Sequence, residues 1–243
     1  MNHEPTATSF DLSVRVDAPL LRFVGLPEGL TVQAEDRQQF GSITVDFVAP
    51  SILRRVQQGR GGLLAKAVLP DPEKPMPLVW DVTAGLGRDA MTLAYLGCQV
   101  VAFERNPLVG MLLLDAHRRA LATAGEVKEA AGRLKICIED ACNVLARPDA
   151  ITQRPDVILL DPMFPEGKGK AGVKKEAMLL RMLVGEGADP VQDEELFTLS
   201  MQIATSRVVV KRSLRAPAIV ESPPPQASFQ GKSVRVDRYR SSS

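Results

Sequence analysis

An α/β fold is the architecture the sequence predicts: a mostly parallel sheet with helices on both faces, plus a small β-rich N-terminal appendage. Three observations predict it. From Leu78 onward, short apolar runs alternate with helical patterns, as expected of a parallel sheet covered on both sides. The run Val79-Trp80-Asp81-Val82 passes into Thr83-Ala84-Gly85-Leu86-Gly87-Arg88-Asp89, a strand followed by a glycine turn and a helix start. Before Leu78 the chain holds only short strand-like segments, and Pro70-Asp71-Pro72-Glu73-Lys74-Pro75-Met76-Pro77 is hostile to both helix and central strand. The division expected is therefore an appendage over residues 1–69, a proline-rich linker over 70–77 and the main domain over 78–243.

In the appendage, Leu20–Val24, Leu30–Val32 and the alternating Ser42–Phe47 read as strands. Ser51–Val56 and Leu63–Val68 read as short helices around Gly59-Arg60-Gly61-Gly62. In the main domain the first strand is Leu78–Val82, and Asp89–Leu96 is a helix that Gly97 stops. Gln99–Glu104 is the second strand, followed by a helix over Leu108–Ala122. Leu134–Ile138 is the third strand, and Val144-Leu145 belongs to a short helix or turn. Asp156–Leu160 is the fourth strand and runs into Asp161-Pro162-Met163-Phe164-Pro165. A lysine-rich stretch, Lys168–Lys175, leads into a helix at Glu176–Leu183. Helix Glu194–Ala204 and strand Arg207–Lys211 follow, and Ser233–Tyr239 closes the sheet as an antiparallel edge strand.

With 243 residues, 45% hydrophobic, the chain can bury a sizeable core. Its net charge of +1 hides an asymmetry: residues 1–50 carry seven acids against three basic residues, and residues 162–243 carry thirteen basic residues against nine acids. A basic C-terminal half is compatible with nucleic acid, and equally with an ordinary solvated surface. Cys98, Cys137 and Cys142 are odd in number and lack zinc-type spacing, which fits a reduced compartment. The start has no signal-peptide pattern and no apolar run reaches a membrane span, so the expectation is a cytoplasmic protein with no membrane contact.

In an open parallel sheet, ligands bind beyond the carboxyl ends of the strands. There the sequence puts Asp81 and the turn Ala84-Gly85-Leu86-Gly87, then Glu104-Arg105, then Asp140, then Asp161. The glycine turn by itself fits dinucleotides and other nucleosides alike. Glu104 lies nineteen positions after Gly85, an interval suited to binding ribose hydroxyls. Further acids along one crevice are of no use to a pyrophosphate, whereas a cofactor with hydroxyls, an amine and a positive centre gains from them. S-adenosyl-L-methionine is such a cofactor, and no metal is called for.

Asp161-Pro162-Met163-Phe164 resembles the [D/N]-P-P-[Y/F] motif of enzymes that methylate exocyclic amines, with Met163 in place of the second proline. A ring amine is a poor nucleophile because its lone pair is delocalised. A carboxylate (Asp161) and a rigid carbonyl (Pro162) that accept its two N–H groups would direct the lone pair and stabilise developing positive charge. Phe164 would stack on the base, which must be flipped out if it starts paired. Lys168, Lys170, Lys174, Lys175, Lys211 and Arg212 fall on the same side of the sheet, where they could meet an RNA backbone. A solubilising loop would read the same way.

Taken together, these segments resemble the ribosomal RNA small subunit methyltransferase J family. The resemblance rests on Asp81–Ala90, Phe103-Glu104-Arg105-Asn106-Pro107, Leu160–Pro165 with its unusual Met163, Val173-Lys174-Lys175-Glu176 and Arg207–Arg212, and more loosely on Val45-Asp46-Phe47 and Gly59–Gly62. It implies a Rossmann-like class I SAM-dependent methyltransferase that modifies the exocyclic N2 of a guanine in the 3′ minor domain of 16S rRNA, by direct displacement. Its substrate would be free 16S rRNA or the small ribosomal subunit; the oligomeric state is left open. Carried over by position, Arg88, Asp89, Glu104, Arg105, Asp140-Ala141 and Asp161 would contact the cofactor. Relatives can carry small hydroxyl residues where this chain has Asp140-Ala141. Alternatives are amine transfer to adenine N6 or protein glutamine, an NAD-dependent oxidoreductase, and a non-catalytic RNA-binding module.

Overall fold

A computed structural model describes residues 11–15, 20–36, 40–162, 171–185 and 190–241. In the first part, strands β1 (Asp11–Arg15), β2 (Leu20–Leu26), β3 (Gly29–Ala34) and β4 (Ser42–Thr44) form an antiparallel sheet in sequential order. Helices α1 (Pro50–Gln57) and α2 (Leu63–Val68) follow, joined by a 3₁₀ turn at Gly59–Gly61.

The second part contains β5 (Leu78–Asp81), α3 (Arg88–Tyr95), β6 (Gln99–Phe103), α4 (Pro107–Leu121), α5 (Glu126–Gly132), β7 (Leu134–Cys137), α6 (Ala141–Leu145) and β8 (Val157–Leu160). It ends with α7 (Ala171–Val184), α8 (Pro190–Ile203), β9 (Arg207–Ser213), β10 (Ala227–Gln230) and β11 (Val234–Arg240). The seven strands lie in the order β7-β6-β5-β8-β9-β11-β10. Neighbours from β7 to β9 are parallel, and β11 runs against both β9 and β10. The order reverses beside β5, which opens a crevice at the carboxyl ends of β5, β6 and β8.

The continuous apolar runs have a direct cause. Successive side chains of a strand point to opposite faces, and here both faces are covered. Val79, Val157, Leu159 and Val209 pack with α3, α4, α5 and α7. Trp80, Ile158, Leu160, Val208 and Val210 pack with α6 and α8.

Several expectations are corrected. The linker is no packing boundary, since Leu21, Phe23, Val32, Ile43 and Phe47 of the appendage share one core with α3 and α4. Prolines mark where regular structure stops, not where packing does. The Leu30 N–H donates to Asp115 of α4 at 2.9 Å, and Arg119 donates to Asp115 at 2.8 Å and to the Val45 carbonyl. β11 is an interior strand, because Ala227–Gln230 adds an outer strand that its single large apolar residue, Phe229, barely announces. Helix α5 also goes unannounced: of its residues only Ala130 and Ala131 are buried. Finally, α7 begins at Ala171, so Lys174 and Lys175 belong to a helix and not to a loop.

Candidate active site

At the end of β5 the chain turns through Gly85 and Gly87, both left-handed, with φ of +53° and +70°. Their surroundings differ. A Cβ on Gly85 would meet no atom within 4 Å, so the backbone there faces open cleft. A Cβ on Gly87 would lie 2.3 Å from Leu113, so this glycine lets α3 start against α4. Gly87 is thus required for packing, whereas Ala84 and Gly85 both border the cleft.

The cleft continues past β6. Glu104 is buried, and its two carboxylate oxygens accept the Gly85 N–H at 2.9 Å and the Asn106 N–H at 2.7 Å. Each oxygen keeps a second lone pair for a ligand hydroxyl. Burial pushes the Glu104 carboxyl upward, against the pull of these N–H donors and of Arg105. Asn106 caps α4 through the Leu108 and Val109 N–H groups and donates to the Leu183 carbonyl, which ties α7 to the site. Arg105 donates to Gln192 of α8. Asp140 caps α6 with one oxygen, at 2.9 Å from the Cys142 nitrogen, and with Ala141 lines the same cavity. Phe103, Val109 and Leu196 supply its apolar walls.

The polar centre lies between the ends of β5, β8 and β9. The Asp161 N–H donates to the Thr83 hydroxyl at 2.6 Å, which locks the end of β8 onto the turn after β5. Lys211 donates to Asp161 at 2.5 Å and to Asp89 at 2.7 Å, and Arg55 of α1 pairs with Asp89 at 2.5 Å. Arg88 pairs with Glu176 of α7. Burial pushes the Asp161 carboxyl upward; Lys211 and Arg55 oppose the shift and the charge of Asp89 adds to it, leaving the group above its ordinary value. Asp89 stays below the usual range: burial opposes its ionisation, but Lys211, Arg55 and Arg88 together outweigh that. Asp81 is 2% exposed, and burial plus the charges of Asp89 and Asp161 push it up to about 8. An uncharged Asp81 therefore faces a space that a cationic ligand group would ionise.

Asp81, Ala84, Gly85, Arg88, Asp89, Glu104, Arg105, Asp140, Ala141 and Asp161 all line one or other of two cavities that share Thr83, Gly85, Asp161 and Leu180. Pro162 also lines the first. Phe164, Lys168 and Lys170 lie outside the described residues, and Lys174 is placed only by its backbone, on α7. Lys175 is half-buried, with its stem against Gly41. Lys211, expected at the RNA, instead bridges the carboxylates of Asp89 and Asp161. Arg212 is corrected as an RNA contact: it is 5% exposed, and its guanidinium donates to the Pro217 carbonyl at 2.9 and 3.1 Å. Adjacent residues of a strand face opposite ways, so a Lys-Arg pair cannot serve one surface. Sequence reading missed Thr83 and Glu176 as parts of the site. Thr83 lay inside the quoted turn, but only the crossing of the chain reveals its hydrogen bond to Asp161.

No helix among the described residues is long and apolar enough to cross a membrane. A family model described as "Putative SAM-dependent methyltransferase" matches residues 6–241. The protein named ribosomal RNA small subunit methyltransferase J from Stutzerimonas stutzeri is 42% identical over 213 residues, which are 87% of this chain and 80% of that protein. The protein of the same name from Neisseria gonorrhoeae is 40% identical over 198 residues, 82% of this chain and 76% of that one. The crystal structure of a SAM-dependent methyltransferase from Neisseria gonorrhoeae superposes with a TM-score of 0.70 at 30% identity, covering 100% of this chain and 86% of that chain. The glycine turn, the acid at each strand end and the Asp-Pro motif thus occur in a chain that belongs to the ribosomal RNA small subunit methyltransferase J family of SAM-dependent methyltransferases.

Proposed function

We propose that this protein transfers a methyl group from S-adenosyl-L-methionine to the exocyclic N2 of a guanine in the 3′ minor domain of 16S rRNA, in the cytoplasm. The observation that carries the reading is the placement of Asp161-Pro162 at the end of β8, with Asp161 anchored by Thr83 and Lys211 beside the cleft that holds Glu104.

The donor set suits the cofactor. Glu104 would take the ribose hydroxyls, the Asp140 carboxylate the adenine amine, and Phe103, Ala141 and Leu196 the ring faces. Asp81 and Asp89 offer negative charge to the amino and sulfonium groups. When bound, the cofactor supplies a methyl group on a positively charged sulfur, an electrophile that needs no further activation.

The protein's task is then the nucleophile. Lys211 holds one Asp161 oxygen, which leaves the other free to accept an N–H of the target amine. The Pro162 carbonyl, on a residue of fixed φ, accepts the second N–H. Both bonds strengthen as positive charge builds on nitrogen, so they favour the transition state over the ground state. A new N–C bond forms as the methyl–sulfur bond breaks, and the nitrogen must then shed one proton. Asp161, with its carboxyl pushed upward, is suited to receive that proton and pass it to water.

Asp161→Ala should lower methyl transfer about 10²–10³-fold while leaving the protein folded. The assay is incorporation of labelled methyl into 30S subunits, free 16S rRNA and protein, with mass mapping of the modified nucleotide. Unchanged transfer by the variant would overturn the role of Asp161, and label found only in protein would overturn the substrate.

A further inference from the structure

At the opposite end of the sheet from the cofactor cleft lies a cavity of about 330 Å³, bordered by Arg207, Arg238, Arg240, Lys74, Ser206 and Gln226. The cavity opens at the surface, where Lys74 and Arg240 are exposed. In the β9–β11 ladder Arg240 stands directly opposite Arg207, and Arg238 is two residues away on the same face. Like charges facing each other across a strand pair weaken a sheet. Among the described residues no carboxylate pairs with any of the three. Arg207 donates only to the neighbouring Ser206 hydroxyl, at 3.2 Å. Arg238 stacks on Phe229 at 5.6 Å, and its buried Nε has no hydrogen-bond partner. Asp71, the acid at the rim, is engaged by Lys74 at 3.7 Å.

The other face of the same strand shows the ordinary solution. There Arg235 is paired with Asp237 at 2.8 Å and also donates to the Ala216 and Pro217 carbonyls. The three arginines without an ion-pair partner are therefore confined to one face and one end of β9 and β11. Burial first, then the charge of Arg238, pull the Arg207 guanidinium below the usual range, against the opposing charges of Asp71 and Asp156. A tetrahedral oxyanion in this cavity would relieve the repulsion, and planar guanidiniums are suited to grip it.

We propose that Arg207, Arg238 and Arg240 form a phosphate site that holds the sugar–phosphate backbone of the rRNA substrate at the sheet end opposite the cofactor. This rests on the RNA reading above. Arg207 lies four residues from Lys211 along β9, about 13 Å at strand spacing. A substrate held at both ends of the sheet must span at least that distance, as an RNA backbone does and a single phosphate does not. A free phosphate or nucleotide would use the same chemistry, and the test separates the two sources.

The test uses the full chain and the triple variant Arg207→Gln, Arg238→Gln, Arg240→Gln, with Arg240→Gln alone as a milder control. Binding of a 16S rRNA 3′-domain transcript and of 30S subunits is followed against salt. The triple variant is expected to bind RNA about 10–100-fold more weakly, with a salt slope shallower by about two phosphate contacts. KM for RNA should rise while kcat and KM for S-adenosyl-L-methionine stay within about twofold. Inorganic phosphate should stabilise the wild type against heat and should not stabilise the triple variant. Arg240→Gln should keep the fold and show part of the RNA effect. Loss of phosphate stabilisation with unchanged RNA affinity and slope would overturn the RNA assignment in favour of a small anion. No change in either arm would overturn the site altogether. Failure of the functional reading is separable, since the binding arms do not depend on which atom is methylated.

Discussion

Replacing Lys211 with methionine removes the ammonium that joins Asp89 to Asp161 and keeps the unbranched stem. The ammonium lies 2.5 Å from Asp161 and 2.7 Å from Asp89, with 21% of the lysine side chain exposed. A cation this close holds a carboxyl down, and the 38% exposure of the Asp161 side chain tempers the effect. Its loss should raise the Asp161 carboxyl further above its ordinary value, where burial and Asp89 already push it. If the ionised carboxylate accepts the amine, the acid limb of the pH–rate profile moves to higher pH. Transfer near neutral pH then falls about 10–100-fold and recovers as the pH is raised. The assay is kcat/KM for labelled methyl transfer to 16S rRNA from about pH 6 to about pH 9, with Lys211→Arg expected to restore part of the shift. A Lys211→Met profile parallel to the wild type, lower at every pH, would refute the reasoning and leave Lys211 a purely structural cation.

Two further predictions concern the fold. Asp81 titrates near 3.8 in an unfolded chain and at about 8 when folded, so between these values the folded state holds a proton the unfolded state has lost. Stability should therefore fall as pH rises through that window, by up to ~1.4 kcal/mol per unit. Asp81→Asn should flatten this dependence in urea midpoints measured at about pH 5 and about pH 8; an unchanged slope would mean that Asp81 is ionised in the folded protein. At the appendage interface, Asp115→Ala strands the Leu30 N–H and leaves the Arg119 guanidinium with the Val45 carbonyl alone, at a cost of about 1–3 kcal/mol. Burial opposes ionisation of Asp115, but Arg119, the Leu30 N–H and Arg118 together hold its carboxyl below 3.8. Its contribution is thus complete above that value and disappears as pH falls through the lower folded one. A denaturant midpoint unmoved by the substitution would show that the appendage docks without this contact.

The sequence alone determined the alternation of strands and helices, the glycine turn and the acids at four strand ends, because periodicity and turn chemistry are local properties of the chain. It also carried the Asp-Pro motif, whose residue types state their chemistry wherever they fall. It could not show which neighbours those residues meet. Gly85 and Gly87 look alike in the turn, yet one opens onto the cleft and the other is pressed against Leu113, a residue of another helix. Lys211 and Arg212 are adjacent cations, yet the strand sends one to Asp161 and buries the other against Pro217. The shared core of appendage and main domain, the Arg55–Asp89 pair and the facing of Arg207 with Arg240 all join residues far apart in the chain. Only tertiary structure decided these, because burial and charge pairing depend on distances in space, which sequence spacing does not contain.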